Sequence, residues 1–115
     1  MKQKKVNDTY VRIWKTVSRI PEGKVASYGT IARVSGFPMQ PRLAGYALHN
    51  IPGGLDIPWH RVINAAGRIS LPGTRGEEQE RLLNREGVYF KRGRVSMDIY
   101  GWRPAARGRK KRTTS

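Results

Sequence analysis

Backbone punctuation, more than any single motif, limits what this chain can become. Pro21 with Glu22-Gly23, then Gly36, Pro41 and Gly87, leave room for short helices only. Proline removes a backbone donor, and glycine ends helices by entering the left-handed region. Between these stops the apolar pattern is helical. Val6, Tyr10, Ile13, Val17 and Ile20 recur at helical spacing with Trp14 beside them, and Asn7 or Asp8 can cap them, which predicts a helix over 7–20. Lys24-Val25-Ala26 is a short extended link. Ser27 caps a second helix over 27–36, Phe37-Pro38-Met39 connects, and Pro41 sits in the first turn of a third helix over 41–50. Two short helices joined by a glycine-containing turn are the helix-turn-helix pattern.

The third helix separates two faces. Leu43, Ala44, Ala47 and Leu48 form an apolar face for the core, while Arg42, Tyr46 and His49 lie together on another. The small residues Ala44, Gly45 and Ala47 allow close approach. A recognition helix presents its N-terminal residues to the bases, which is where Arg42 falls; an ordinary amphipathic helix with a solvated arginine fits equally. Ile51 to Asp56 is a loop leading into the segment IPWHRVI at 57–63. There a proline makes the entry rigid, and Trp59, His60 and Arg61 bring a stacking surface, a titratable ring and a fork of donors. That trio lines a site or packs a corner. Residues 64–71 are expected to be a turn and a short strand, half of a small hairpin, and 72–76 a loop. A helix over 77–86 carries acids at its start, where the dipole favours them, and its acidic face should point away from DNA. Residues 91–103 give no clear pattern, and there is no internal repeat.

At 115 residues the chain suits one domain with one modest core, read as 1–103, followed by a basic disordered tail over 104–115. There is no cysteine and there are two histidines, which rules out disulfides, thiolate chemistry and cysteine-bound zinc; no metal or cofactor is expected. No apolar run spans a bilayer and the N-terminus has no apolar signal core, so the expected setting is soluble and intracellular, without membrane contact. The strongest compositional signal is charge: 23 Lys and Arg against 8 Asp and Glu, net +15. Residues 104–115 contribute five basic residues and no acid, so about +10 stays on the body. Such a balance implies a polyanionic partner, nucleic acid before membrane.

The stretches PEGKVASYGTIA (21–32), Arg42 and PWHRVI (58–63), with Trp59 seventeen residues beyond Arg42, resemble the DNA-binding and active-site domain of the O6-alkylguanine-DNA alkyltransferases. NAAGRISL (64–71) and LLNREGV (82–88) fit as well, so the resemblance covers about residues 8–88. One position departs. The family's acceptor cysteine stands at Trp59, and an indole does not perform a thiolate's attack. The chain thus resembles the alkyltransferase-like branch, which carries tryptophan there. That implies a mainly α, winged-helix-like helix-turn-helix fold with a small β-hairpin. It implies minor-groove docking on double-stranded DNA, flipping and shielding of O6-alkylguanine without alkyl transfer, and hand-off to nucleotide excision repair. A monomer is expected, cytoplasmic and nucleoid-associated, or nuclear in a eukaryote. No counterpart of the transferases' N-terminal domain is expected ahead of Tyr10.

Residue roles follow from the same resemblance. Arg42 is the finger that fills the stack vacated by the base, and Tyr28 helps turn the flipped nucleotide's phosphate. Trp59 lines the lesion pocket. Asn50 falls one residue short of the family's pocket asparagine, and Arg68 or Arg75 would stack on the base. Tyr46 and His49 join Tyr28 and Arg42 on the DNA. His60, Arg61 and Glu86, with no thiol to activate, form a structural network. Leu71-Pro72-Gly73 replaces the family's hydroxyl-bearing loop, which opens the pocket to larger alkyl groups. The competing reading is a helix-turn-helix transcription regulator; it needs a palindromic site and a dimer surface, and no extra helix for dimerisation stands out.

Overall fold

The structure, a computed structural model, describes residues 8–104. Its elements are α1 (Asp8–Val17), β1 (Ala26–Ser27), α2 (Tyr28–Val34), α3 (Pro41–His49), a 3-10 turn (Trp59–Arg61), β2 (Val62–Ile63), α4 (Gly73–Arg85) and α5 (Met97–Tyr100). The expected tail over 104–115 lies, Pro104 apart, outside the described residues.

The first three helices form where the apolar period predicts them; Ser27 caps α2, and Pro41 opens α3, whose N-cap residue Gln40 makes no side-chain hydrogen bond. α1 stops at Val17, short of the expected Ile20, and hydrogen-bonded turns carry the chain to Pro21. Ile13, Val17 and Ile31 are fully buried, and Trp14 donates its indole N–H to the Ala47 carbonyl at 2.7 Å. That bond lets a large ring occupy the core with its one polar atom satisfied. Ala44 and Ala47 of α3 complete this first cluster, with Leu43 and Leu48 packed against it. At the end of α2, Gly36 takes φ +101, Phe37 N–H reaches the Ala32 carbonyl and Gly36 N–H that of Arg33. This pair of bonds is a Schellman stop. A Cβ at Gly36 would also run into the Arg12 guanidinium, which lies over the Phe37 ring at 4.9 Å.

The small β element differs from the expected hairpin. β1 and β2 pair in parallel, Ala26 opposite Val62 and Ser27 opposite Ile63. Successive residues of a strand face opposite sides, so this minimal sheet divides two cores: Ala26 and Val62 face the α1–α3 cluster, whereas Val25 and Ile63 face a second one with Leu83, Val88 and Val95. Residues 64–68 do form a turn, closed by Asn64 N–H to the Arg68 carbonyl, but no strand follows. The tight antiparallel turn lies instead at Lys91–Arg94.

Two further expectations are corrected. The loop assigned to 72–76 is already helix: α4 begins at Gly73 with Pro72 as its N-cap residue. Glu86 is not on the acidic face of that helix; it is the C-cap and turns inward. The stretch 91–103, illegible in sequence, is organised by Val25, whose N–H bonds the Tyr100 carbonyl and whose carbonyl accepts from Trp102 N–H.

Candidate nucleic-acid interface and pocket

Tyr28 is placed by the junction between β1 and α2. Ser27 ends the strand with extended backbone, and its hydroxyl accepts from Thr30 N–H at 3.1 Å. This caps the helix and fixes Tyr28 at its first position. Pro41 begins α3 and puts Arg42 in its first turn, exposed. Met39, in the connection before it, is 94% exposed and left-handed at φ 68. Trp59 opens the 3-10 turn after Pro58, with its N–H on the Ile57 carbonyl and its ring edge-on to His60.

Tyr28, Arg42 and Trp59 line one cleft of about 510 Å3, together with Tyr46 and His49 of α3 and with Leu71, Pro72 and Arg75. That volume lies within the range of about 300–1,000 Å3 typical of small-molecule sites. The Arg75 guanidinium sits over the Trp59 ring, 4.7 Å from its centroid. Gly45 borders the same space, and a Cβ there would meet nothing within 4 Å. Pro41, Gly45 and Leu48 follow each other at helical spacing along the cleft wall. Gly45 was expected to allow close approach, whereas Leu48 was assigned to the core face and Pro41 to the helix start, so neither was expected on the cleft wall.

Two expected pocket residues lie elsewhere. Asn50 is exposed at the C-cap of α3, and its side-chain amide turns back to the Tyr46 carbonyl at 2.8 Å. Arg68 is exposed on the 64–68 turn and is absent from the cleft wall. Of the two candidate stacking arginines, only Arg75 reaches the cleft.

Behind the cleft, His60 and Arg61 converge on Glu86. His60 Nε2 lies 2.8 Å from Glu86 Oε2, and Arg61 donates through Nε and Nη2 to the same carboxylate. Gly23 N–H bonds Oε1, and Arg61 Nη1 donates to the Ile20 carbonyl. Burial raises the Glu86 pKa, but the hydrogen bonds from Arg61, His60 and Gly23 outweigh it and hold the carboxyl at about 2. Gln79, which no sequence signal marked, is 1% exposed and donates its amide to the His60 and Val62 carbonyls. It fastens α4 to the segment carrying Trp59. The network ties the 3-10 turn that carries Trp59 to the end of α4 and to the turn after α1.

Comparison with known proteins identifies the family. Residues 8–88 match the family described as 6-O-methylguanine DNA methyltransferase, DNA binding domain. A DNA base-flipping protein of Vibrio parahaemolyticus is 41% identical over 95 residues, covering 82% of this chain and 95% of that protein. Alkyltransferase-like protein 1 of Schizosaccharomyces pombe is 34% identical over 107 residues, covering 87% and 99%. The crystal structure of S. pombe Atl1 in complex with damaged DNA containing O6-carboxymethylguanine superposes with a TM-score of 0.77 at 32% identity, over 88% of this chain and all of that one. The chain therefore belongs to the 6-O-methylguanine DNA methyltransferase family, in its alkyltransferase-like branch.

Proposed function

We propose that this protein binds double-stranded DNA through α2 and α3, turns an O6-alkylated guanine out of the stack into the cleft beside Trp59, and leaves the alkyl group in place. The observation that carries this reading is the convergence of Tyr28, Arg42 and Trp59 on one cleft at the start of α3. Flipping a base costs a few kcal/mol of stacking and pairing, least for a damaged pair. Arg42, which is exposed in the first turn of α3, enters the vacated stack in this reading and offsets that cost. Tyr28 stands at the cleft where the flipped nucleotide's phosphate passes. Trp59 and Arg75 supply a π surface and a cation, which suit a purine face and its O6 and N7 acceptors.

Transfer would need a thiolate beside the alkyl carbon, and the chain has no cysteine. The His60–Glu86 pair then serves only to support the cleft. Shielding a lesion without removing it requires another system to excise it, so hand-off to nucleotide excision repair is part of the proposal. So are action as a monomer and location with chromosomal DNA, in the cytoplasm or a nucleus.

The test is affinity for a duplex carrying one O6-methylguanine against its undamaged twin at fixed salt. The lesion duplex should bind ten- to a thousandfold tighter, roughly 1.4–4 kcal/mol. The protein's mass should not change after incubation. Arg42→Ala should cost more lesion affinity than removing any single basic residue of 104–115, because it loses the stack-filling group rather than one screened phosphate contact. Equal affinity for the two duplexes would overturn the reading.

A further inference from the structure

Arg68, excluded from the cleft, belongs to a different construction. The turn 64–68 and the turn 91–94 are locked edge to edge: Val95 N–H bonds the Gly67 carbonyl at 2.9 Å. Each turn uses a glycine to admit the other's arginine. A side-chain carbon on Gly93 would lie 3.3 Å from Arg68 Nη1, and one on Gly67 would lie 3.4 Å from the Arg94 stem and 2.6 Å from the Val95 carbonyl oxygen. The 91–94 turn is closed by reciprocal bonds between Lys91 and Arg94, with Arg92 and Gly93 both left-handed, at φ 58 and 76. A non-glycine residue in that region carries strain. The outcome is Arg68, Lys91, Arg92 and Arg94 exposed side by side. None has an ion-pair partner among the described residues, where the ion pairs are those of Glu86. Four like charges held together without an acid repel one another, and the protein's own packing offers no compensation.

We infer that these paired turns are a cationic wing that grips backbone phosphates of the duplex beside the cleft, a contact separate from α2 and α3; this deepens the DNA-binding reading above and rests on it. Arginine forks match phosphate oxygens two at a time. The position suits the task, since Ser70 lies on the cleft wall two residues beyond Arg68. Two residues of chain reach about 7 Å, roughly two base-pair rises. A flipped nucleotide in the cleft would therefore bring its flanking phosphates within range of the wing. Because phosphates are the same in every sequence, the wing adds affinity and register but no lesion selectivity.

The experiment compares the full chain with K91Q/R92Q/R94Q and with the charge-keeping R92K/R94K, measuring affinity for damaged and undamaged duplexes from 50 to 300 mM salt. For the glutamine variant, the slope of log affinity against log salt should fall by about 0.9 per lost phosphate contact, some 2–3 in all, and affinity for both duplexes should drop by about tenfold or more. The lysine variant should keep the parent slope. If the triple variant fails to fold, R92Q alone should lower the slope by about 0.9. An unchanged slope in a folded variant would overturn the wing, and point to an acidic protein partner or plain solvation for these charges. A loss confined to the damaged duplex would overturn it too, by placing the turns inside lesion recognition. Should the parent show no lesion preference while the glutamine variant still flattens the slope, the lesion reading fails and the wing stands.

Discussion

Glu86, at the end of α4, gathers two other parts of the chain on one carboxylate: the 3-10 turn through His60 and Arg61, and the turn after α1 through Gly23; Arg61 in turn donates to the Ile20 carbonyl. Its pKa of about 2, against 4.5 unperturbed, makes the brace a pH-dependent source of stability. A carboxylate depressed on folding stabilises fully above its unfolded pKa and loses that contribution as pH falls toward the folded one. The window is thus about pH 4.5 down to 2. Comparing unfolding of the parent and Glu86→Gln across pH 7 to 2, the stability difference should be constant above about 4.5 and shrink by about 2–3 kcal/mol below it. A difference independent of pH would mean the ion pairs carry none of the effect. The residues of this brace were readable through the family resemblance, which matches His60 and Glu86 to a paired histidine and glutamate; their spacing alone, 26 residues apart, does not join them. Asn50 was not, because counting back from Trp59 ignores where α3 ends; its amide caps that helix instead. Choosing between Arg68 and Arg75 also needed the fold, since the helix start at Gly73 is what carries Arg75 over Trp59.

Among the elements, the helices were legible wherever an apolar period coincides with a start signal, the Ser27 cap in α2 and Pro41 in α3. The β1–β2 pair was not: strands of two residues have no period, and parallel partners distant in sequence leave no turn signal between them. The start of α4 was hidden by Pro72-Gly73, which resembles a loop but serves as its entry. What lets α4 begin there is Gly76, buried so closely that a Cβ would stand 2.3 Å from the Leu71 carbonyl oxygen and 3.3 Å from Ile69. Gly45, in α3, has open space at the same atom. Two helical glycines should then respond oppositely to alanine. Gly45→Ala gains roughly 0.5–1 kcal/mol from helix propensity. Gly76→Ala has the same propensity gain but must displace main chain, for a net loss of about 1–3 kcal/mol, seen as a fall of at least about 4 °C in Tm. Since the displaced segment, 69–72, is a wall of the cleft, Gly76→Ala should also reduce preference for the damaged duplex. Equal and positive shifts in Tm at both sites would show that the 69–72 segment yields freely and is not a fixed wall.

At the scale of the molecule, charge is distributed rather than merely abundant. Glu77, Glu78 and Glu80 are exposed on α4 while Gly76, Gln79 and Leu83 form its buried face. With Glu86 turned inward, three acids rather than four mark this as the side least suited to DNA. Of the opposite sign, Arg42 stands alone in the first turn of α3, while Arg68, Lys91, Arg92 and Arg94 gather on the paired turns. To this the sequence adds five basic residues and no acid over 104–115. Composition alone announced a polyanionic partner, but not this division of labour, because charge counts hold no position. The division has a measurable consequence. Basic residues that contact phosphates alone do not report the lesion, because phosphates are the same in every duplex. Deleting 104–115 should weaken binding to damaged and undamaged duplexes in equal proportion and lower the salt slope by up to about 0.9 for each of the basic residues removed. Combined with K91Q/R92Q/R94Q, the two slope reductions should add, since tail and wing would neutralise different phosphates. The ratio of damaged to undamaged affinity should survive both changes and disappear only with Arg42 or the cleft wall. A tail deletion that erased the ratio while sparing affinity for plain duplex would instead bring those basic residues to the cleft, and the lesion site would have to be redrawn to include them.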